Sequence, residues 1–172
     1  MMTRTSGVAL AVFLAIGAVA GVANAAPIGV GPRLNVELDG GDFAIGVEGR
    51  FGVLRIANSI RLDVRPSFDY YFVDAPEGFD VTVLGFGADA LFAFNIGNPL
   101  VEPYALAGLS IGFTSVESDF SEADGNETDI GFNLGGGAKF LTNGNIQPYA
   151  ELRITLGDFD PILLGGGVLF FF

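Results

Sequence analysis

The sequence of 172 residues contains no histidine, no cysteine and no tryptophan, and it has only 8 basic residues against 20 acidic ones. Without His and Cys it has no Ser-His-Asp or Cys-His nucleophile, no imidazole base, no zinc site of the usual ligand set and no disulfide. The formal net charge of −12 argues against nucleic acid as a partner, because phosphate backbones are bound by clustered Lys and Arg. The sequence therefore predicts no catalytic residue, no metal site and no cofactor.

Acidity is combined here with high hydrophobicity. Half of the residues are hydrophobic, and 17 of them are Phe. A disordered acidic chain is poor in apolar residues, so we expect these apolar side chains to be buried in a protein core or in lipid.

The first 25 residues predict a cleavable signal peptide. Arg4 supplies a positive charge, residues 7–20 form an uncharged apolar run, and Ala23-Asn24-Ala25 resembles a cleavage site. The run is short for a membrane span, although an N-terminal membrane anchor is the alternative. We expect export, cleavage after Ala25 and one mature domain over residues 26–172.

The mature part alternates between apolar and polar residues with period two, which is typical of β-strands with unlike faces. Clusters of Gly, Pro, Asn and Asp divide it into eight predicted strands: 28–38, 43–56, 60–72, 81–94, 100–113, 128–141, 146–156 and 162–172. All of them reach the length of about 9–11 residues that a tilted strand needs to cross a bilayer. The pattern predicts an all-β, eight-stranded antiparallel up-and-down barrel.

The orientation of the two faces separates a membrane barrel from a soluble, lipocalin-like ligand-binding barrel, which has its apolar face inside. The polar face is rich in small glycines, which suit a narrow lumen, and the other face carries bulky Phe, Leu, Ile and Val. Aromatic residues of the bulky face gather in two groups: Phe43, Tyr70, Phe72, Phe113 and Phe132, and Phe92, Phe94, Phe140, Phe170 and Phe172. Two aromatic girdles favour a transmembrane barrel.

The polar faces of the predicted strands carry thirteen charged residues, six basic and seven acidic. They are Arg33, Glu37, Glu48, Arg50, Arg61, Asp63, Arg65, Asp69, Asp89, Glu102, Lys139, Glu151 and Arg153. The interior of an eight-stranded barrel is just wide enough to be filled by side chains. We therefore predict a lumen filled by ion pairs, with a narrow passive path for ions or small solutes as the alternative.

The predicted connections are of two alternating kinds. Residues 58–59, 95–99 and 143–145 are tight and uncharged, whereas residues 39–42, 74–80, 116–127 and 157–160, with Asp129, hold 13 of the 20 acidic residues and no basic one. Longer loops of membrane barrels face outward, so we expect the acidic loops to be extracellular. Residues 116–127 do not match the EF-hand pattern. Weak binding of divalent cations, bridging these carboxylates to lipopolysaccharide phosphates, is the alternative to a solvated loop.

The sequence resembles the OmpA/OmpX-type eight-stranded outer-membrane barrels. The matching features are Pro103-Tyr104-Ala105 followed by Gly108, Pro148-Tyr149-Ala150, and a strand that ends in VLFFF. The resemblance implies a Gram-negative outer membrane with its lipid and lipopolysaccharide as surroundings. It also implies that Val168, Phe170 and Phe172 are a signal to the barrel assembly machinery.

Small barrels of this kind that act as enzymes use His in their active sites, and this sequence has none. We therefore expect a structural or surface protein that is not an enzyme. We also expect the barrel to be a monomer.

Overall fold

The computed structural model describes residues 28–73, 79–118, 125–157 and 161–172, and these form one closed antiparallel β-barrel. Its strands are β1 (Ile28–Glu37), β2 (Phe43–Ala57), β3 (Ile60–Phe72), β4 (Phe79–Phe94), β5 (Val101–Ser118), β6 (Gly125–Phe140), β7 (Ile146–Gly157) and β8 (Ile162–Phe171). Each strand pairs with its neighbours in sequence, and β1 pairs with β8. The predicted up-and-down barrel is confirmed. The predicted signal peptide lies outside the described residues.

No helix in the described part of the chain is long and apolar enough to cross a membrane.

The barrel has two unlike ends. At one end, β1–β2, β3–β4, β5–β6 and β7–β8 are connected; we call it the acidic rim, because Asp39, Asp42, Glu127 and Asp129 lie there. At the other end, which we call the terminal rim, β1 begins and β8 ends. Its connection between β4 and β5 is closed by two Asn side chains, which accept hydrogen bonds from the backbone N–H groups of Gly97 and Leu100 at 3.0 and 2.8 Å.

Three strands extend further toward the acidic rim than the alternation predicts. β4 begins at Phe79 rather than at residue 81, β5 continues to Ser118 rather than 113, and β6 begins at Gly125 rather than 128. β5 and β6 stay paired as far as Val116 and Gly125. Most of the loop predicted at 116–127 is therefore hairpin, and its connection, 119–124, lies outside the described residues. The predicted contrast in loop length is wrong, because backbone pairing continues where the side chains stop alternating.

The apolar face of the sheet points outward. In β1, for example, Leu34 is 49% exposed whereas the preceding Arg33 is 3% exposed. Near the acidic rim the rings of Phe43 and Phe72 stack at 4.6 Å between centroids, and Phe140 and Phe170 are exposed near the terminal rim. This is the orientation of a membrane barrel and the opposite of a lipocalin-like barrel.

Gly135 allows β6 and β7 to approach each other closely, because a Cβ atom at this position would overlap the carbonyl oxygen of Leu152. We expect Gly135→Ala to lower the free energy of unfolding by about 1–3 kcal/mol through overpacking. The urea midpoint in lipid vesicles, followed by heat-modifiable gel mobility, measures this loss. Gly144→Ala is the control, since a Cβ there meets nothing within 4 Å; equal midpoints for the two variants would refute the prediction.

Candidate functional site

The lumen is the candidate site, because the structure places all thirteen predicted charged residues on the lumen side of their strands. Ten of them are buried: Arg33, Glu48, Arg50, Asp63, Arg65, Asp69, Asp89, Lys139, Glu151 and Arg153. Eleven take part in ion pairs among the described residues. They form one central cluster and one cluster near the terminal rim.

Arg65 of β3 is the centre of the central cluster, and it is 0% exposed. Its Nε and Nη2 donate to Asp89 Oδ2 at 3.0 and 2.7 Å. Its Nη1 donates to Glu151 of β7 and lies 3.6 Å from Glu48 Oε2. One guanidinium therefore contacts three carboxylates that come from three different strands, and Arg33 and Arg50 add further positive charge to the cluster, as buried charges require.

Arg50 of β2 is held between two aromatic rings, with its Cζ 4.9 Å from the centroid of Tyr104 and 4.2 Å from that of Tyr149. Its Nε donates to Glu48 at 2.7 Å. The Tyr104 hydroxyl donates to Glu151 at 2.9 Å, and the Tyr149 hydroxyl donates to Glu48 at 2.8 Å. Cation–π contacts and hydrogen bonds thus join these two tyrosines to the central cluster.

Neutral polar residues complete the central cluster toward the acidic rim. Arg33 lies 3.1 Å from Asp69, which also accepts a hydrogen bond from Asn35 at 3.0 Å. Asn133 donates to Asp89 at 2.9 Å and accepts from the hydroxyl of Thr155 at 2.9 Å. Asn133 thereby reaches the oxygen of Asp89 that Arg65 does not contact, whereas Asn35 donates to the same oxygen of Asp69 that Arg33 approaches.

Sequence reasoning did not place Asn35, Asn133, Tyr104 or Tyr149 in the site. The asparagines carry no charge, and the two Pro-Tyr-Ala segments indicate the family but not a position in the lumen. The signal that would have found them is their spacing along the strand, since each of the four lies an even number of residues from a predicted charge and therefore on the same face.

An apolar layer lies between the central cluster and the terminal rim. Leu91, Leu106 and Leu169 are buried there with Ala93 and the two tyrosines, and Phe171 packs against them. Part of the predicted polar face is thus a small hydrophobic core. Apolar side chains fill the space beside Arg50.

The second charged cluster lies near the terminal rim. Arg61 donates to Asp63 at 2.7 and 3.0 Å and to Glu102 at 2.6 Å. Lys139 Nζ lies 3.6 Å from Glu102 and 5.5 Å from the centroid of the Phe171 ring. The side chain of Arg61 is 36% exposed, so this cluster is in contact with solvent.

Two predicted residues form no close ion pair with these clusters among the described residues. Glu37 lies half-buried at the acidic rim, and no ion pair joins it to a residue the structure describes. Arg153 is 4% exposed, and its Nε has no hydrogen-bond partner within the described ranges.

Arg55 is a lumen residue that the alternation missed. If every second residue of β2 after Phe43 pointed outward, Arg55 would lie on the apolar face. However, β2 has a register shift between Gly52 and Leu54, after which Arg55 pairs with Arg61. A bulge of one residue reverses the faces of the strand beyond it. Arg55 is exposed on the lumen side of the terminal rim.

Cation binding remains a prediction, because residues 119–124 of the acidic loop lie outside the description. Among the residues that are described, no group of three or more Asp and Glu is arranged to hold a metal ion.

The assembly signal also remains a prediction. Val168, Phe170 and Phe172 lie on the outward face, where Phe170 is 42% and Phe172 84% exposed.

The sequence model of the family described as "Outer membrane protein beta-barrel domain" matches residues 6–165. No curated protein matches the chain.

Solved structures share the fold at low identity. The N-terminal β-barrel domain of OprF from Pseudomonas aeruginosa is 18% identical with a TM-score of 0.66, covering 85% of this chain and 97% of that one. Ail, the attachment invasion locus protein of Yersinia pestis, is 16% identical with a TM-score of 0.63, covering 86% and 97%. The outer membrane enzyme PagL is 11% identical with a TM-score of 0.50, covering 83% and 97%. These likenesses establish the barrel fold.

We expect Arg65→Gln to lower the free energy of unfolding by about 3–5 kcal/mol, because it leaves buried carboxylates without their shared cation. Urea unfolding in lipid vesicles measures the loss. Arg55→Gln is the matched control at an exposed position and is expected to change the value by about 0.5 kcal/mol at most. Failure of only the Arg65 variant to fold would agree with the prediction; similar midpoints for both variants would contradict it.

Proposed function

This chain belongs to the outer membrane protein beta-barrel family, and on that basis we propose that it is a structural or surface barrel of a Gram-negative outer membrane, with a lumen closed by its own side chains. The observation that carries the proposal is the hydrogen bond from Arg65 to Glu151. β3 and β7 are four strands apart in a ring of eight. These two side chains therefore meet across the full width of the barrel.

A second set of contacts supports a closed lumen next to this bond. Arg50 of β2 touches Tyr104 of β5 and Tyr149 of β7, so it also spans the interior. The apolar layer of Leu91, Leu106 and Leu169 lies beside it. Paired charges and close-packed apolar groups leave little space for a hydrated ion.

A narrow passive channel is the second candidate function. It is favoured by the charged side chains that lie on both sides of the apolar layer, from Glu37 at the acidic rim to Arg61 at the terminal rim. Rings of charge line the pores of many channels. Conductance separates the two candidates.

In planar bilayers we expect the wild-type barrel to give no stable single-channel steps. The double variant Tyr104→Ala, Tyr149→Ala is expected to give them, because it removes two side chains that fill the lumen around Arg50. Each protein is first checked for heat-modifiable mobility, which reports folding. Stable steps of the wild type that change in size with Arg61→Ala would establish the channel and reject the closed lumen.

The proposed topology places the acidic rim outside the cell and the terminal rim in the periplasm. The chain is then exported by residues 1–25 as a cleaved signal peptide, and Val168, Phe170 and Phe172 are read by the assembly machinery. The even strand number puts both ends of the barrel at the terminal rim, and the tightest connection, residues 58–59, lies at that rim too, as expected of the short turns that face the periplasm. The outward apolar face is covered by lipid, and the barrel is a monomer.

We assign the barrel no catalytic role. Asp63 is a carboxylate that general acid–base chemistry could use, but two hydrogen bonds tie it to Arg61, and the sequence has no His. PagL supports a shared fold and not a shared reaction.

Divalent cations are proposed to bridge the acidic rim to lipopolysaccharide phosphates. We expect calorimetry to show weak Ca²⁺ binding to the barrel in a non-ionic detergent. A variant in which the acidic residues of 116–127 and Asp129 are changed to the corresponding amides is expected to release less heat, because carboxylates are the ligands that Ca²⁺ prefers. Identical heats for both proteins would eliminate this partner.

A further inference from the structure

The lumen opens at the terminal rim into a cavity of about 710 Å³. We call this cavity the terminal vestibule; among the residues that line it are Arg50, Arg55, Arg61, Asp63, Glu102 and Lys139. Its inner side is bounded by Arg50 and Phe171, which belong to or pack against the layers that fill the lumen. Cavities of this size accommodate small organic molecules.

The terminal vestibule is positively charged, although the whole chain has a net charge of −12. Four cationic and two anionic side chains line it. Arg50 is balanced outside the vestibule by Glu48, at 2.7 Å. Setting this cation aside still leaves three positive charges facing two negative ones, so an incoming anion meets a favourable field.

Two arginines lie side by side on the wall of the vestibule. Arg55 of β2 is the register partner of Arg61 of β3, and like charges directly opposite on paired strands destabilise a sheet. The bulge between Gly52 and Leu54 creates this arrangement, since without it Arg55 would point outward. An anion bound between the two guanidinium groups would remove their repulsion.

Both arginines have donors to spare. Arg61 uses its Nε and Nη2 for Asp63 and Glu102, and its Nη1 donates to none of the described residues. Arg55 makes no ion pair within the described ranges. Guanidinium groups bind phosphate and carboxylate oxygens in pairs.

A buried acceptor in the same cavity also lacks a partner. Gln147 lines the vestibule, and its Oε1 is buried without a hydrogen-bond donor among the residues described. It can accept a hydrogen bond from a ligand hydroxyl group, such as that of a protonated phosphate.

From this geometry we infer that the terminal vestibule is a binding site for a phosphate or carboxylate group, held by Arg55 and Arg61. The group belongs to a soluble molecule that enters from the solution at the terminal rim, because Arg61 points into the lumen and away from the lipid-facing side. Lys139 adds a third positive charge. The vestibule is closed at its inner end, so an anion binds there without passing through the barrel.

The test uses the folded full barrel with ¹⁵N-labelled arginine in phosphate-free, non-ionic micelles. Inorganic phosphate is titrated at constant ionic strength, with chloride as the replacing anion. We expect saturable shifts of the Nε resonances of Arg55 and Arg61 and no shift for the buried Arg65. Variants are compared only after heat-modifiable mobility shows that they are folded.

Two variants with opposite expected effects make the result specific. Arg55→Gln is expected to weaken phosphate binding about tenfold or more, a change on the scale of 1.4 kcal/mol. Glu102→Gln is expected to strengthen it several-fold, because it removes a repelling carboxylate and frees a donor of Arg61. Arg55→Lys, which keeps the charge but not the fork of donors, is expected to fall between wild type and Arg55→Gln.

Three results would overturn the site. One is a titration that does not saturate or that chloride alone reproduces, and another is an unchanged affinity in Arg55→Gln. The third is a shift of Arg55 that appears in phosphatidylglycerol nanodiscs without phosphate and is not altered by adding it, since this would identify a lipid headgroup as the anion. None of these results depends on conductance, so the closed-lumen proposal is tested separately.

Discussion

The pairing of β1 with β8 is the constraint on which the rest of the barrel depends. Inside a bilayer each backbone N–H and C=O needs a partner within the protein, and closure of the sheet supplies one along every strand. Closure with eight strands also sets the lumen to the width of a few side chains. Groups on opposite walls then touch, as Arg65 and Glu151 do. The narrow interior accepts charged residues only if they are paired there.

The distribution of charge follows from the same geometry. In the central cluster Arg33, Arg50 and Arg65 are paired with the buried carboxylates of the lumen, so that positive and negative charges largely offset each other there. The excess negative charge is left for the acidic rim, where water and ions surround it. The terminal rim is different, because its vestibule keeps more cations than anions. This acidic chain therefore has an acidic rim at one end of the barrel and a positively charged terminal vestibule at the other.

Alternation with period two predicted the strands well wherever one face meets lipid and the other the lumen. It failed where that contrast ends. Near the acidic rim the side chains of the β5–β6 hairpin stop alternating, so the pattern predicts a loop at strand residues such as Val116 and Gly125. It also failed at the bulge in β2, where one extra residue moved Arg55 to the lumen side. Neither change has a strong signal in the order of the residues, because both depend on how the backbone pairs.

The sequence by itself determined which side of the wall most side chains occupy, since neighbouring residues of a strand point to opposite faces. It also determined that the excess negative charge lies at the acidic rim, but not that the other rim is positively charged, because Arg55 reaches the lumen only through the bulge in β2. Only the tertiary structure decided the partners: Arg65 and Glu151 lie 86 residues apart, and Arg50 lies between two tyrosines of other strands. Such contacts depend on the radius of the closed sheet and on the stagger of its strands, and these are properties of the whole ring.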